Sequence, residues 1–169
     1  MKLTDYLRGE LDREASRTRE VLLQVPADRY DWKPHEKSMA FGNLAEMVAT
    51  IPMWIAMQVT KDELDVTPAD GAKMPGEPKT TSAALIQAFD AALVAANAAL
   101  AGTMDEHLTT PWQLKARGNV VQEAPRYQMI QDTFNHWAHH RGQMTVYLRL
   151  LGAQVPATYG PSADDPTFR

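Results

Sequence analysis

The sequence predicts an all-α protein, a four-helix bundle with long connections between helices two and three and between helices three and four. Three observations carry this. Apolar residues recur at helical spacing in four separate stretches. Segments rich in proline, glycine and other turn formers separate those stretches. Cysteine is absent from the 169 residues, so no disulfide or zinc–thiolate staple is available, and the length suffices for one unstapled core spanning 1–169.

The first helix is expected over 4–24. Leu7, Leu11, Ala15, Thr18 and Leu22 mark one face, Thr4 is placed to cap the start, and Val25-Pro26 ends it, because the residue before a proline disfavours helical torsions. A connector over 27–38 follows. The second helix runs from Phe41 into the high fifties, with Leu44, Met47, Val48, Ile51, Trp54 and Ile55 as its stripe. Pro52 lies inside it and predicts a kink. The stretch 67–79 reads as a loop without regular structure. The third helix occupies 81–100, capped by Thr81 or Ser82, with Leu85, Phe89, Leu93 and Leu100 on its core face. The region 102–125 is irregular, and Arg117-Gly118-Asn119 within it is compatible with a short hairpin turn. The fourth helix starts near Pro125 and runs to Leu151, where Gly152 stops it and Arg149 complements the negative end of the helix dipole. Leu44, Ile51, Phe89, Leu93, Trp137, Met144 and Leu148 are the expected shared core.

Composition narrows the function. Net charge is −4 and no long basic run occurs, which argues against a nucleic-acid surface. The first ten residues are polar and charged, unlike a signal peptide, and no uninterrupted apolar run reaches the roughly 18 residues of a membrane span. The expected location is cytoplasmic, with no membrane partner.

The most informative segment is Asn135-His136-Trp137-Ala138-His139-His140-Arg141-Gly142-Gln143. Four residues apart on a helix, His136 and His140 share one face one turn apart, a spacing at which two imidazoles can share a metal ion. At about 100° per residue, His140 lies roughly 70° and His136 roughly 110° from the centre of the apolar stripe. Both therefore flank the core on the same side, while His139 faces solvent. The plainer reading is that one ring simply hydrogen-bonds at the core's edge. No acidic residue stands between the two, so the metalloprotease helix motif is absent.

Two clusters of motifs go further. One is His-His-Arg-Gly-Gln at 139–143, then Val146-Tyr147-Leu148-Arg149-Leu150-Leu151-Gly152, Val155-Pro156 and Tyr159-Gly160-Pro161-Ser162. The other is Tyr30-Asp31-Trp32-Lys33-Pro34, Lys37-Ser38-Met39, Phe41-Gly42 and Leu44-Ala45. With these, nearly the whole chain resembles the DinB-like (DinB/YfiT) family of metalloenzymes. The resemblance implies a four-helix bundle, a homodimer, and a divalent ion, nickel or zinc, held by three histidines. Two of these map onto His136 and His140. The third position, shortly after the Leu44-Ala45 stretch, is Met47 here, so the sequence departs from the family at a ligand.

Met47 has two readings. It is a gap-filling core side chain beside Leu44, Val48 and Ile51, or it is a soft thioether ligand better suited to Cu(I) than to zinc or nickel. The site expected on this basis is a pocket lined by Met47 and Trp137 and faced by His136 and His140, with weak or no zinc or nickel binding. His35 and His107 sit in connectors, and His35 is expected at the surface. Arg141 falls near the core stripe and requires a carboxylate partner, with Glu14 and Asp90 as candidates. The resemblance implies a metal-dependent enzyme, a thiol-dependent transferase or hydrolase-like protein. The alternative is a metal-free module that binds a small molecule or acts in a stress response.

Overall fold

A computed structural model describes residues 1–68, 79 and 81–167. Among these residues the chain forms helices α1 (Leu3–Leu22), α2 (Phe41–Thr50), α3 (Pro52–Thr60), α4 (Ser82–Ala101), α5 (Asp105–Leu108) and α6 (Arg126–Leu150). Three strands accompany them, β1 (Glu63–Asp65), β2 (Pro111–Ala116) and β3 (Asn119–Pro125). The expected all-α four-helix bundle is therefore corrected: six helices and a three-stranded mixed sheet take its place. Of the loop expected over 67–79, residues 69–78 lie outside the described part.

Three local causes produce the difference. Pro52 divides the second helix. It becomes the first residue of α3, where its missing N–H costs least, and Ile51 at the junction keeps helical torsions. Asp105 starts the short α5, and its carboxylate accepts the backbone N–H of Leu3 (2.8 Å) and Thr4 (3.0 Å). The cap of α1 thus comes from far along the chain, and Thr4 does not supply it. Finally, 111–125 pairs as an antiparallel hairpin whose central turn residues, Arg117 (φ 52°) and Gly118 (φ 76°), both take the positive φ that a tight two-residue hairpin favours. Asp65 accepts the Gly118 N–H at 2.7 Å and ties this turn to β1, which pairs parallel with β2.

Other expectations stand where they were placed. Thr81 caps α4 through the Ala84 N–H (3.1 Å), and Gly152 (φ 73°) ends α6, with Ala153 N–H donating to Leu148 O at 3.0 Å. Gly42 is required: a Cβ there would lie 2.8 Å from the Tyr30 ring, while its N–H donates to Tyr30 O. Leu44, Ile51, Phe89, Trp137, Met144 and Leu148 are buried in one core; Leu93 is half-buried against it. Helix α4 is apolar and long enough to cross a membrane, yet Leu85, Phe89, Ala92, Ala96 and Leu100 are buried inside the protein. On its other side Asp90 pairs with Arg19.

Candidate functional site

Helix α6 supplies the histidines. The rings of His136 and His140 meet edge to face, with centroids 4.4 Å apart, and His139 approaches His140 at 5.1 Å. His140 Nδ1 lies 2.8 Å from Gln143 Oε1, and Gln143 Nε2 lies 3.0 Å from His139 Nε2. One glutamine amide thereby orients both outer rings. His136 differs from them. Its ring stacks on Trp54 of α3 (5.3 Å, 23°), and its Nε2 is buried without a hydrogen-bond partner. Burial, then the neighbouring charges of His140 and His139, hold its pKa below the ordinary histidine value, so the ring is neutral at neutral pH.

His136 lines a cavity of about 330 Å³ between α3, α6 and the sheet. Trp54 and Gln58 form the α3 wall, and Leu64, Trp112 and Leu114 the sheet wall. From α6 come Met129, Asp132, Thr133 and His136, one face at spacings of three and four. The polar pair in this wall is satisfied internally: Gln58 Nε2 lies 2.9 Å from Thr133 Oγ1, and both residues are buried. Trp112 is not satisfied. It is 1% exposed, and its Nε1–H has no acceptor. Two of the three unpartnered buried side-chain polar atoms among the described residues thus belong to walls of one cavity. Such atoms each cost roughly 1–3 kcal/mol when left unmatched, so a partner that reached either of them would be favoured.

Arg126, 2% exposed, fixes the frame. Its guanidinium donates to Gln58 O (2.6 Å), Lys61 O (2.5 Å), Asp62 Oδ1 (2.5 Å) and Thr110 Oγ1 (3.0 Å). One side chain at the start of α6 therefore terminates α3 and anchors the segment entering β2.

The other expected residues fall elsewhere. Trp137 is fully buried and donates its Nε1–H to Val48 O at 2.8 Å. Met47 is half-buried and packs against the core. Neither belongs to the wall around His136, and neither does His140. His35 is exposed, and His107 Nε2 lies 2.8 Å from Val59 O. Among the described residues no three His, Cys, Asp or Glu side chains converge as metal ligands. Two imidazoles and a thioether fall short of the three nitrogen or oxygen donors that hold a catalytic zinc or nickel, so this donor set does not fit the implied ion. Arg141 finds its carboxylate in Glu14 (2.5 Å).

The profile of the DinB family matches residues 3–167. This chain belongs to the DinB family. Solved DinB-like proteins share the fold. That of Bacillus cereus has a TM-score of 0.64 at 24% identity, covering 88% of this chain and 92% of its own. That of Bacillus subtilis scores 0.66 at 18% identity, covering 89% and 94%. A DinB-family structure from Exiguobacterium sibiricum scores 0.65 at 16% identity, covering 92% and 95%. The uncharacterized protein YrdA of Bacillus subtilis is 39% identical over 62 residues, 34% of this chain and 37% of YrdA's length.

Within this DinB fold, sequence reasoning found His136 and placed Trp54 on the apolar stripe of its helix. It missed Trp112, Gln58, Asp132 and Thr133. A signal for Trp112 existed: Trp112, Leu114 and Ala116 alternate with polar neighbours, the period of a strand.

Proposed function

We propose that this DinB-family protein binds a small organic molecule in the cavity between α3, α6 and the sheet, without a three-histidine metal centre. One observation carries the reading. The neutral imidazole of His136 and the indole N–H of Trp112 are both buried, both unpartnered, and both on side chains that wall the same largely apolar space. Small-molecule sites combine an apolar lining with a few fixed polar groups in this way, and a volume of about 330 Å³ suits a ligand of one or two rings. His136 accepts or donates one hydrogen bond, Trp112 donates one, and Trp54 offers a flat apolar face.

The test uses 1-phenylethanol, a neutral aromatic alcohol, added to nitrogen-15-labelled protein. The Trp112 indole signal should shift on titration, and Trp112→Phe and His136→Gln should each weaken binding about fivefold or more, the worth of roughly one hydrogen bond. No shift of Trp54 or Trp112 signals up to the solubility limit, with this alcohol or with its amine and carboxylate analogues, sinks the reading. Metal analysis supplies the counter-test. One tightly held equivalent of zinc or nickel, lost in His136→Ala and His140→Ala, would mean that ligands beyond the described residues complete a centre, and the transferase or hydrolase-like reading would replace this one.

A further inference from the structure

We infer that the cavity selects a small cationic amine that carries an aromatic or aliphatic body and one oxygen acceptor. This rests on the reading of the cavity as a binding site and adds the charge of its occupant.

The first argument is the sign of the wall. Among the described residues lining the cavity, the single charged side chain is Asp132, and there is no Lys or Arg. A carboxylate or phosphate in that space would meet no compensating cation and would face the Asp132 carboxylate at the exposed rim, a repulsion that solvent weakens but does not reverse. The second argument is aromatic. Trp54 and Trp112 line the same space, and an indole attracts a cation that comes within about 6 Å of its ring face; Trp54, one face of which stacks on His136, is the more exposed of the two.

The third argument is hydrogen-bond matching. An ammonium group only donates, and the Asp132 carboxylate accepts; a neutral His136 adds a second acceptor in the tautomer that leaves Nε2 unprotonated. Asp132 lies one helical turn before His136 on the same face of α6, so one amine at the mouth can reach between them. Trp112 Nε1–H only donates, so it needs an acceptor the amine cannot be. A hydroxyl, ether or carbonyl oxygen on the ligand body meets that requirement. Asp132 already accepts from Gln122 Nε2 at 3.0 Å, which holds its carboxylate toward the sheet side while leaving it further acceptor capacity.

Three probes with one carbon frame separate the claims: 2-amino-1-phenylethanol, 1-phenylethanol and mandelate. Each carries a phenyl ring and a hydroxyl; they differ in bearing an ammonium, a methyl or a carboxylate. Titrated into the intact protein at neutral pH and followed by the Trp54 and Trp112 indole signals, the amine should bind about tenfold tighter than the alcohol, and mandelate about tenfold weaker. Asp132→Asn, at an exposed position where the amide oxygen can still accept from Gln122, should bring the amine to within about twofold of the alcohol measured on the same variant. Equal binding of all three probes, or an amine preference that survives Asp132→Asn, overturns the inference and leaves the cavity reading standing. Failure of all three to bind overturns both.

Discussion

At the scale of single residues, buried charge governs what the fold tolerates. Arg141 is 1% exposed and donates to Glu14 Oε2 and to Thr18 Oγ1 (2.9 Å), while Tyr159 donates to the same Glu14 oxygen at 2.8 Å. Burial pushes the Glu14 pKa up, but the Arg141 charge and the hydrogen bonds from Arg141, Tyr159 and Arg17 together hold it down. Glu14→Ala strands the guanidinium and should cost about 3–5 kcal/mol in urea unfolding, whereas Arg17→Ala at the rim should cost about 1 kcal/mol or less. His136 makes an opposite kind of statement. Its folded pKa is lowered, so the unfolded chain binds the proton more readily. Stability should fall as pH drops through the ordinary histidine value of 6.5 and level off for this group below the folded value. Unfolding free energies measured from about pH 8 to pH 5 should show that slope, and His136→Gln should flatten it. Much of this was legible. Periodicity placed Arg141 against the core and required a carboxylate; three-dimensional packing alone chose Glu14 and gave Asp90 to Arg19.

At the scale of elements, Pro52 does more than bend a helix. A residue with an N–H at 52 would donate to Val48 O, and proline cannot. That freed carbonyl is the one to which the Trp137 indole donates. Trp137→Phe should therefore cost about 1–3 kcal/mol beyond the packing it loses, because a buried acceptor is left unmatched. Pro52→Ala returns a backbone donor to the same oxygen, so the double variant should be less destabilised than the sum of the singles, a non-additivity that thermal melts can read. The hairpin gives a second test. Arg117 holds φ 52°, an arrangement that costs an ordinary side chain about 1–2 kcal/mol, and Arg117→Asn should raise stability by up to about 1 kcal/mol. The division of the second helix was readable from one letter, Pro52. The sheet was not, because β1 is three residues long and β2 holds only a faint alternation. Their pairing joins segments whose adjacency no local pattern encodes.

At the scale of the whole molecule, the helices form the core and the sheet encloses the cavity. Leu148 is fully buried in that core, so Leu148→Ala should cost about 2–5 kcal/mol and lower the single cooperative transition. Arg126→Met should act differently. It removes the donors that join the end of α3 to the approach to β2, so amide exchange should rise first in β1 and β2 and much less in α1. The family and its helices could be read from motif and periodicity. The cavity could not, since its walls come from two stretches, 54–66 and 112–136, that lie far apart in the chain. Met47 entered the expected site through the family's third ligand position and Trp137 through its helical face; the cavity beside His136 is lined by neither.

The parallel pairing of β1 with β2 has a consequence in time. Two strands that run the same way cannot be joined by a tight turn, and here α4 and α5 lie between them. Until that intervening chain has collapsed, β1 has no neighbour to zip against. By the length of chain it closes, the seam beside the cavity should form after the β2–β3 hairpin, which needs only a two-residue turn.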